Sequence, residues 1–166
     1  MGVGSLRGPA PAVATAAVRY GGGWKYRSRH QPGGRMIDHV SVPVRDLAAA
    51  AAFYERVLAP LGYAKLVTRP ATVGFGKKYP ELWLNLRAGM APAADNPGGH
   101  IALRAAGEAA VRAFHAAALA GGGASAGDPG PRQAAMTTYF GAFILDPDGN
   151  KLEAVSFPSA AASAPA

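Results

Sequence analysis

The sequence predicts an α+β fold of two paired βαβββ modules, their eight strands forming a curled sheet around a cleft with helices on the outside. Three observations predict it. Between residues 36 and 158, short apolar strands interrupt stretches of helical periodicity. One constant offset, the one that carries His39 onto His100, superimposes a strand, a helix and a helix stop of the first half on those of the second. The length of 166 residues suits one domain, and a hydrophobic content of 49% fills a core without staples.

Composition narrows the chemistry. There is no cysteine, which excludes disulfides, thiolate metal ligands and a cysteine nucleophile. A metal bound here has to use histidine and carboxylate ligands. No apolar run approaches the ~20 residues that a membrane helix needs. The net charge of +7 is concentrated in Arg7, Arg19, Lys25, Arg27, Arg29 and Arg35, which share residues 1–35 with no acid. The rest of the chain is almost balanced, so the sequence indicates no basic face for nucleic acid.

The expected organisation is a leader at 1–35, a domain at 36–158 with modules at about 36–90 and 97–158, and a tail at 159–166. The leader is rich in Gly, Ala, Pro and Arg without a sustained period, which predicts disorder. Met36 directly precedes the first strand pattern, so the leader reads as an upstream extension. The tail is Ala/Ser/Pro-rich and is expected to fray.

The first module opens with a strand at Ile37–Val44. Asp46 is a good helix N-cap. The helix that follows carries Phe53, Tyr54, Val57, Leu58 and Leu61 on one face and stops at Gly62. Under the offset, Val40 meets Ile101, Val42 meets Leu103, Phe53 meets Phe114, Tyr54 meets His115, Leu58 meets Leu119 and Gly62 meets Gly123. Further strands are expected near Lys65–Thr68, at Thr72–Gly76 and at Glu81–Leu86, then at Thr138–Leu145 and Lys151–Phe157. Asp146-Pro147-Asp148-Gly149 is strong turn chemistry between the last two. The third strand of the second module falls within 121–135, where glycine hides its position.

Strand alternation selects the side chains that share a face. Val40, Val42 and Val44 face the helix, and His39 and Ser41 face the cleft. Ile101 and Leu103 face the second helix, and His100 and Ala102 face the cleft. In the last strand Leu152 and Ala154 pack inward, while Lys151, Glu153 and Val155 face the cleft. The repeat therefore delivers His39, His100 and Glu153 to one concave surface. Two imidazoles and a carboxylate suit a first-row divalent metal with open coordination positions, which polarises a carbonyl or activates water. A lone strand histidine is commonly a hydrogen-bonded structural residue, and Glu153 alone reads equally as an edge charge. Glu153 lies in an apolar strand, where an unpaired carboxylate costs several kcal/mol. His115 reads as a packing or solvent-contact residue, since its repeat partner is Tyr54. Trp83, Asn85, Tyr139 and Lys77 are the candidate substrate contacts, with Phe140, Phe143 and Lys78 behind them. Tyr139 leads because a phenol near a metal donates to a developing oxyanion.

Met36-Ile37-Asp38-His39-Val40, Asp46-Leu47 and Phe53-Tyr54 resemble the start of the vicinal oxygen chelate superfamily. That superfamily includes glyoxalase I, extradiol dioxygenases, fosfomycin resistance thiol transferases and bleomycin resistance proteins. Gly98-Gly99-His100-Ile101-Ala102-Leu103 resembles its second-module strand. Phe143-Ile144-Leu145-Asp146-Pro147-Asp148-Gly149-Asn150-Lys151-Leu152-Glu153 resembles its closing signature. The resemblance implies His39, His100 and Glu153 as ligands of a divalent ion (Zn, Mn, Fe, Ni or Co), Glu153 as a possible base, and a homodimer. Glyoxalase I members add a glutamate on the last strand of the first module. Here that strand is Glu81–Leu86, with Glu81 only at its start, which points away from true glyoxalase I. Two functions follow: a cytoplasmic metalloenzyme acting on a small oxygen-chelating substrate, or a metal-free drug-sequestering protein.

Overall fold

The computed structural model describes residues 37–91, 98–134 and 137–157, all within the compact unit Arg35–Ala166. The leader, Met36 and residues 158–166 lie outside the described residues, and with them the expectations about disorder and chain start.

The first module runs β1 (Val40–Val44), α1 (Leu47–Leu58), a 3-10 turn (Ala59–Leu61), β2 (Ala64–Arg69), β3 (Thr72–Gly76) and β4 (Pro80–Leu86). The second runs β5 (Ile101–Arg104), α2 (Glu108–Ala120), β6 (Ala124–Gln133), β7 (Thr138–Leu145) and β8 (Lys151–Ser156). Local chemistry accounts for the first helix. The Asp46 carboxylate accepts from the amides of Ala48 and Ala49 at 2.9 and 3.0 Å, satisfying two of the orphan donors at the helix start. A run of alanine favours continuation. Gly62 stops the helix at φ 78°, a conformation in which a Cβ is strained.

The paired βαβββ modules are present, and their eight strands divide into two four-stranded sheets, ordered β1-β4-β3-β2 and β5-β8-β7-β6. β1 is parallel to β4 and β5 to β8, with the remaining pairs antiparallel. β6 is the strand that glycine and proline concealed. It is an edge strand with two register shifts, and an edge tolerates proline because no second neighbour needs its amides. Its ten residues, against six in β2, end the constant offset between the modules.

One core serves both modules. Phe53, Tyr54, Val57 and Leu58 of α1 join Val111, Phe114 and Ala118 of α2 and the helix-facing residues of both sheets. The aromatic Phe53 seats where α2 ends: a Cβ at Gly121 would stand 2.9 Å from its ring. The modules thus meet through their helix-bearing sides, while β1 and β5, each at an edge of its sheet, are not paired with one another.

Polar contacts lock the same junction. The Tyr54 hydroxyl, fully buried, donates to Asp146 Oδ2 at 2.7 Å. Asp146 Oδ1 accepts from the amides of Asp148 and Asn150 at 2.9 and 2.7 Å, which shapes the β7–β8 turn. Asn150 donates to the Pro43 carbonyl at 2.9 Å, and Arg45 pairs with Asp148. The turn of the second module is therefore pinned to the β1–α1 connection of the first. Burial raises the pKa of Asp146 against the opposing pull of its hydrogen bonds to Asn150 and Tyr54. Burial, followed by the neighbouring Asp146 charge, holds the Tyr54 proton well above the usual phenol range.

Candidate functional site

The strand registers compare the two modules residue by residue. In the first, Val40 pairs with Leu82 and Ser41 with Trp83. In the second, Ile101 pairs with Leu152 and Ala102 with Glu153. Trp83 thus occupies the place in the first module that Glu153 occupies in the second. The carboxylate absent from the first module is replaced by an indole, and Glu81 lies two residues earlier, level with His39.

The structure brings His100 and Glu153 together. His100 immediately precedes β5, and its Nε2 lies 3.0 Å from Glu153 Oε2. Its Nδ1 lies 3.1 Å from the Gly98 carbonyl. The Gly98 carbonyl can only accept, so Nδ1 donates to it; without a metal Nε2 donates to Glu153 Oε2, and a cation bound between them would take the Nε2 lone pair instead. Glu153 is 3% exposed, and its buried Oε1 has no hydrogen-bond partner among the described residues. Leaving such an atom unpaired costs about 1–3 kcal/mol.

His39 is not part of this pair. Its ring is exposed, with Nδ1 2.8 Å from the Asp38 carboxylate. Among the described residues no group of three or more histidine and acidic side chains could hold a metal ion. The physical reason is the packing: the modules meet through their helices, so the histidines that begin β1 and β5 do not converge within one chain.

The remaining candidates occupy several surroundings. Trp83 is half-buried on β4, with the Arg69 guanidinium 5.7 Å from its ring centroid, and Asn85 follows on the same face. Lys77 reaches Tyr63 instead, its Nζ 5.1 Å from the ring centroid, beside the end of the 3-10 turn. Phe140 is buried on the helix side of β7, whereas Phe143 contacts His100 edge-on at 5.2 Å. His115 is buried and its Nε2 lies 2.9 Å from Ser125 Oγ, as expected of a packing residue with a polar anchor.

Tyr139 is next to the pair because of Gly141. A Cβ at Gly141 would lie 2.9 Å from Tyr139 Cε2 and 3.2 Å from Glu153 Oε1. The missing side chain lets the Tyr139 ring lean across the strand toward the carboxylate. Burial first, then the Glu153 carboxylate, raise the Tyr139 pKa above its ordinary value, with Arg132 opposing. An apolar recess of about 270 Å³ between α1 and the β2–β3 hairpin, lined by Leu47, Ala51 and Val73 among others, shares no residue with this site.

Sequence alternation pointed to Glu153 and His100 but missed the Tyr54–Asp146 lock. The signal that could have found it was the acidic turn, whose second function is visible only where Tyr54 meets it.

An α+β chain of two βαβββ modules, carrying a histidine and a buried glutamate on adjacent strands, defines a class of paired-module proteins. The sequence pattern of the Glyoxalase/Bleomycin resistance protein/Dioxygenase superfamily matches residues 36–154, and the chain belongs to that superfamily. A glyoxalase/bleomycin resistance protein from Albidiferax ferrireducens T118 is similar at 30% identity and TM-score 0.65, over 73% of this chain and 98% of that one. A glyoxalase/dioxygenase from Nostoc punctiforme shares the fold at 21% identity and TM-score 0.57, over 78% of this chain and 96% of that one. A glyoxalase I variant from Zea mays shares it at 24% identity and TM-score 0.56, over 71% of this chain and 44% of that longer one. No curated protein matches the chain in sequence. Among the described residues no helix is long and apolar enough to cross a membrane.

Proposed function

We propose that the chain is a metal-dependent enzyme of the glyoxalase/dioxygenase type, acting on a small molecule that chelates the metal through oxygen. The observation that carries the proposal is Glu153: a buried carboxylate with one oxygen on His100 Nε2 at 3.0 Å and the other without a partner. A divalent cation fits this donor set. Donors at right angles about a cation, with bonds of about 2.1 Å, stand about 3.0 Å apart. The cation would then neutralise the buried carboxylate and leave Oε1 free.

His100 and Glu153 would hold the ion, and His39 from a second copy would complete it. Among the described residues β1 and β5 are unpaired edges with a histidine just before each, so a two-fold pairing of β1 with β5 of another copy would unite the ligands twice over. Bound there, a divalent metal supplies stabilisation of an oxygen anion. Tyr139 keeps its Oη proton at neutral pH and is placed to donate it to that oxygen as a hydrogen bond. Glu153 Oε1 is the atom placed to accept a substrate proton. The reaction is a lyase, isomerase, thiol transferase or dioxygenase step.

Trp83 favours a second reading. An indole in the place of a ligand carboxylate suits a metal-free groove that sequesters a flat drug-like molecule, as in bleomycin resistance. Metal analysis of wild type, His39→Ala and Glu153→Ala proteins separates the two. The enzyme reading expects one divalent ion per wild-type chain and loss in both variants. Mixing the two variants tests the shared site, because a mixed dimer retains one site with all ligands. Wild type that takes up no more metal than the variants supports sequestration instead.

A further inference from the structure

We propose that the face of the second module carries a subsite for a flat, aromatic carboxylate, formed by Arg104 of β5, Phe157 just past β8, Tyr139 of β7 and Arg132 of β6. The proposal names the substrate class of the site above and rests on that reading only for the purpose of the subsite.

The residues form a row across the sheet. Phe157 follows Ser156, the partner of Phe140, and so stands level with Tyr139. Their rings stack at 5.7 Å with 27° between planes. Tyr139 in turn pairs with Arg132 on β6. On the other flank, the Arg104 guanidinium lies 4.1 Å from the Phe157 ring centroid. In the order β5-β8-β7-β6 this reads arginine, ring, ring, arginine. Three strand spacings of about 4.8 Å separate the arginines at the backbone, with Arg104 set back at the level of Val155, and the Phe157 and Tyr139 rings fill the span between them.

Each end of the row lacks a counter-charge. Neither Arg104 nor Arg132 enters an ion pair among the described residues. Arg132 donates only to the carbonyls of Asp128 and Pro131, at 2.7 and 3.4 Å. The acid nearest the row, Glu153, is buried and engaged with His100. A guanidinium stacked on a ring keeps its N–H fork free in its own plane, the geometry that grips a carboxylate in bidentate fashion. With Arg104 and Tyr139 against its two faces, the exposed Phe157 ring, 37% accessible, presents its edge beside that of Tyr139, and a flat ligand lies across these edges in edge-to-face contact. Tyr139 links the platform to the His100–Glu153 pair across Gly141. A ligand with its carboxylate on Arg104 and its rings on Phe157 and Tyr139 therefore extends toward Glu153.

The test uses the full chain, stripped of metal, in low salt. Calorimetric titrations compare 2-naphthoate with its neutral isostere 2-naphthamide and with cyclohexanecarboxylate, which has the charge without the flat ring. Naphthoate is expected to bind about tenfold or more tightly than either. Arg104→Gln is expected to lower naphthoate affinity about tenfold and leave naphthamide unchanged, and Phe157→Leu to weaken both. Arg104 is exposed, so its variant should fold, and Arg132→Gln repeats the measurement from the other end. Equal binding of naphthoate and naphthamide overturns the proposal. So does an Arg104→Gln protein that binds naphthoate like wild type, or one whose self-association changes while its naphthoate affinity does not, since the row is then a contact between copies. Manganese uptake by wild type and Glu153→Leu is measured on the same preparations. It judges the metal reading alone, as naphthoate selectivity in metal-free protein judges the subsite alone.

Discussion

Replacing Glu153 by leucine should stabilise the metal-free protein while abolishing its response to metal. Glu153 is 3% exposed, and its Oε1 has no hydrogen-bond partner. Removing that orphaned oxygen recovers about 1–3 kcal/mol. A buried leucine adds apolar contact of about 1.5 kcal/mol or more. Against this stands the lost contact to His100. That side chain is 35% exposed. Water therefore replaces the contact at about 1 kcal/mol. The net expectation is about 1.5–3.5 kcal/mol of added stability, or roughly 5–14 °C in Tm for a domain of this size. The assay is urea and thermal unfolding in a chelator, then with a divalent metal at one hundred times its Kd. Saturation stabilises wild type by about 2.7 kcal/mol and leaves the variant where it was. A Glu153→Leu protein less stable than wild type in chelator, or one stabilised equally by metal, refutes the reasoning that Glu153 is a buried charge kept for a cation.

The remaining predictions concern the junction and the tyrosines. Tyr54→Phe removes the 2.7 Å donor to Asp146 from a fully buried position. It should cost about 1.5–3 kcal/mol in urea unfolding, because the acceptor is an acid. A loss under about 0.5 kcal/mol would mean that the lock contributes nothing net. The raised Tyr54 pKa also sets an alkaline limit. Above the ordinary phenol value of 10.0 the unfolded chain releases this proton while the folded chain keeps it, so stability falls as pH rises toward the folded value. Tyr54→Phe should flatten that fall, and identical alkaline slopes would count against the attribution. Gly141→Ala places a methyl 2.9 Å from Tyr139 and 3.2 Å from Glu153 Oε1. The ring should swing from the carboxylate, and the Tyr139 pKa should move down toward its ordinary value. Ultraviolet titration against Tyr139→Phe reads that shift, and an unmoved pKa would show that the ring does not depend on the gap.

Much of this protein was determined by the sequence alone, for a local reason. Asp46, the alanine run and Gly62 set where α1 begins and ends, because capping and backbone conformation act within a few residues. Alternation placed Leu152 and Ala154 in the core and Glu153 on the other face, since a strand has period two. The repeat predicted both modules, because each has to bury one face of a sheet under its own helix. β6 escaped it, as an edge strand with bulges needs neither regular alternation nor freedom from proline. Tertiary structure alone decided how the modules meet. The Phe53 ring against Gly121 and the Tyr54 hydroxyl on Asp146 join residues far apart in sequence, and no local pattern encodes such a contact. That junction leaves His100 on Glu153 and keeps His39 apart from both. Within the second module, register also gathers Arg104, Phe157, Tyr139 and Arg132 into one row, which composition does not announce.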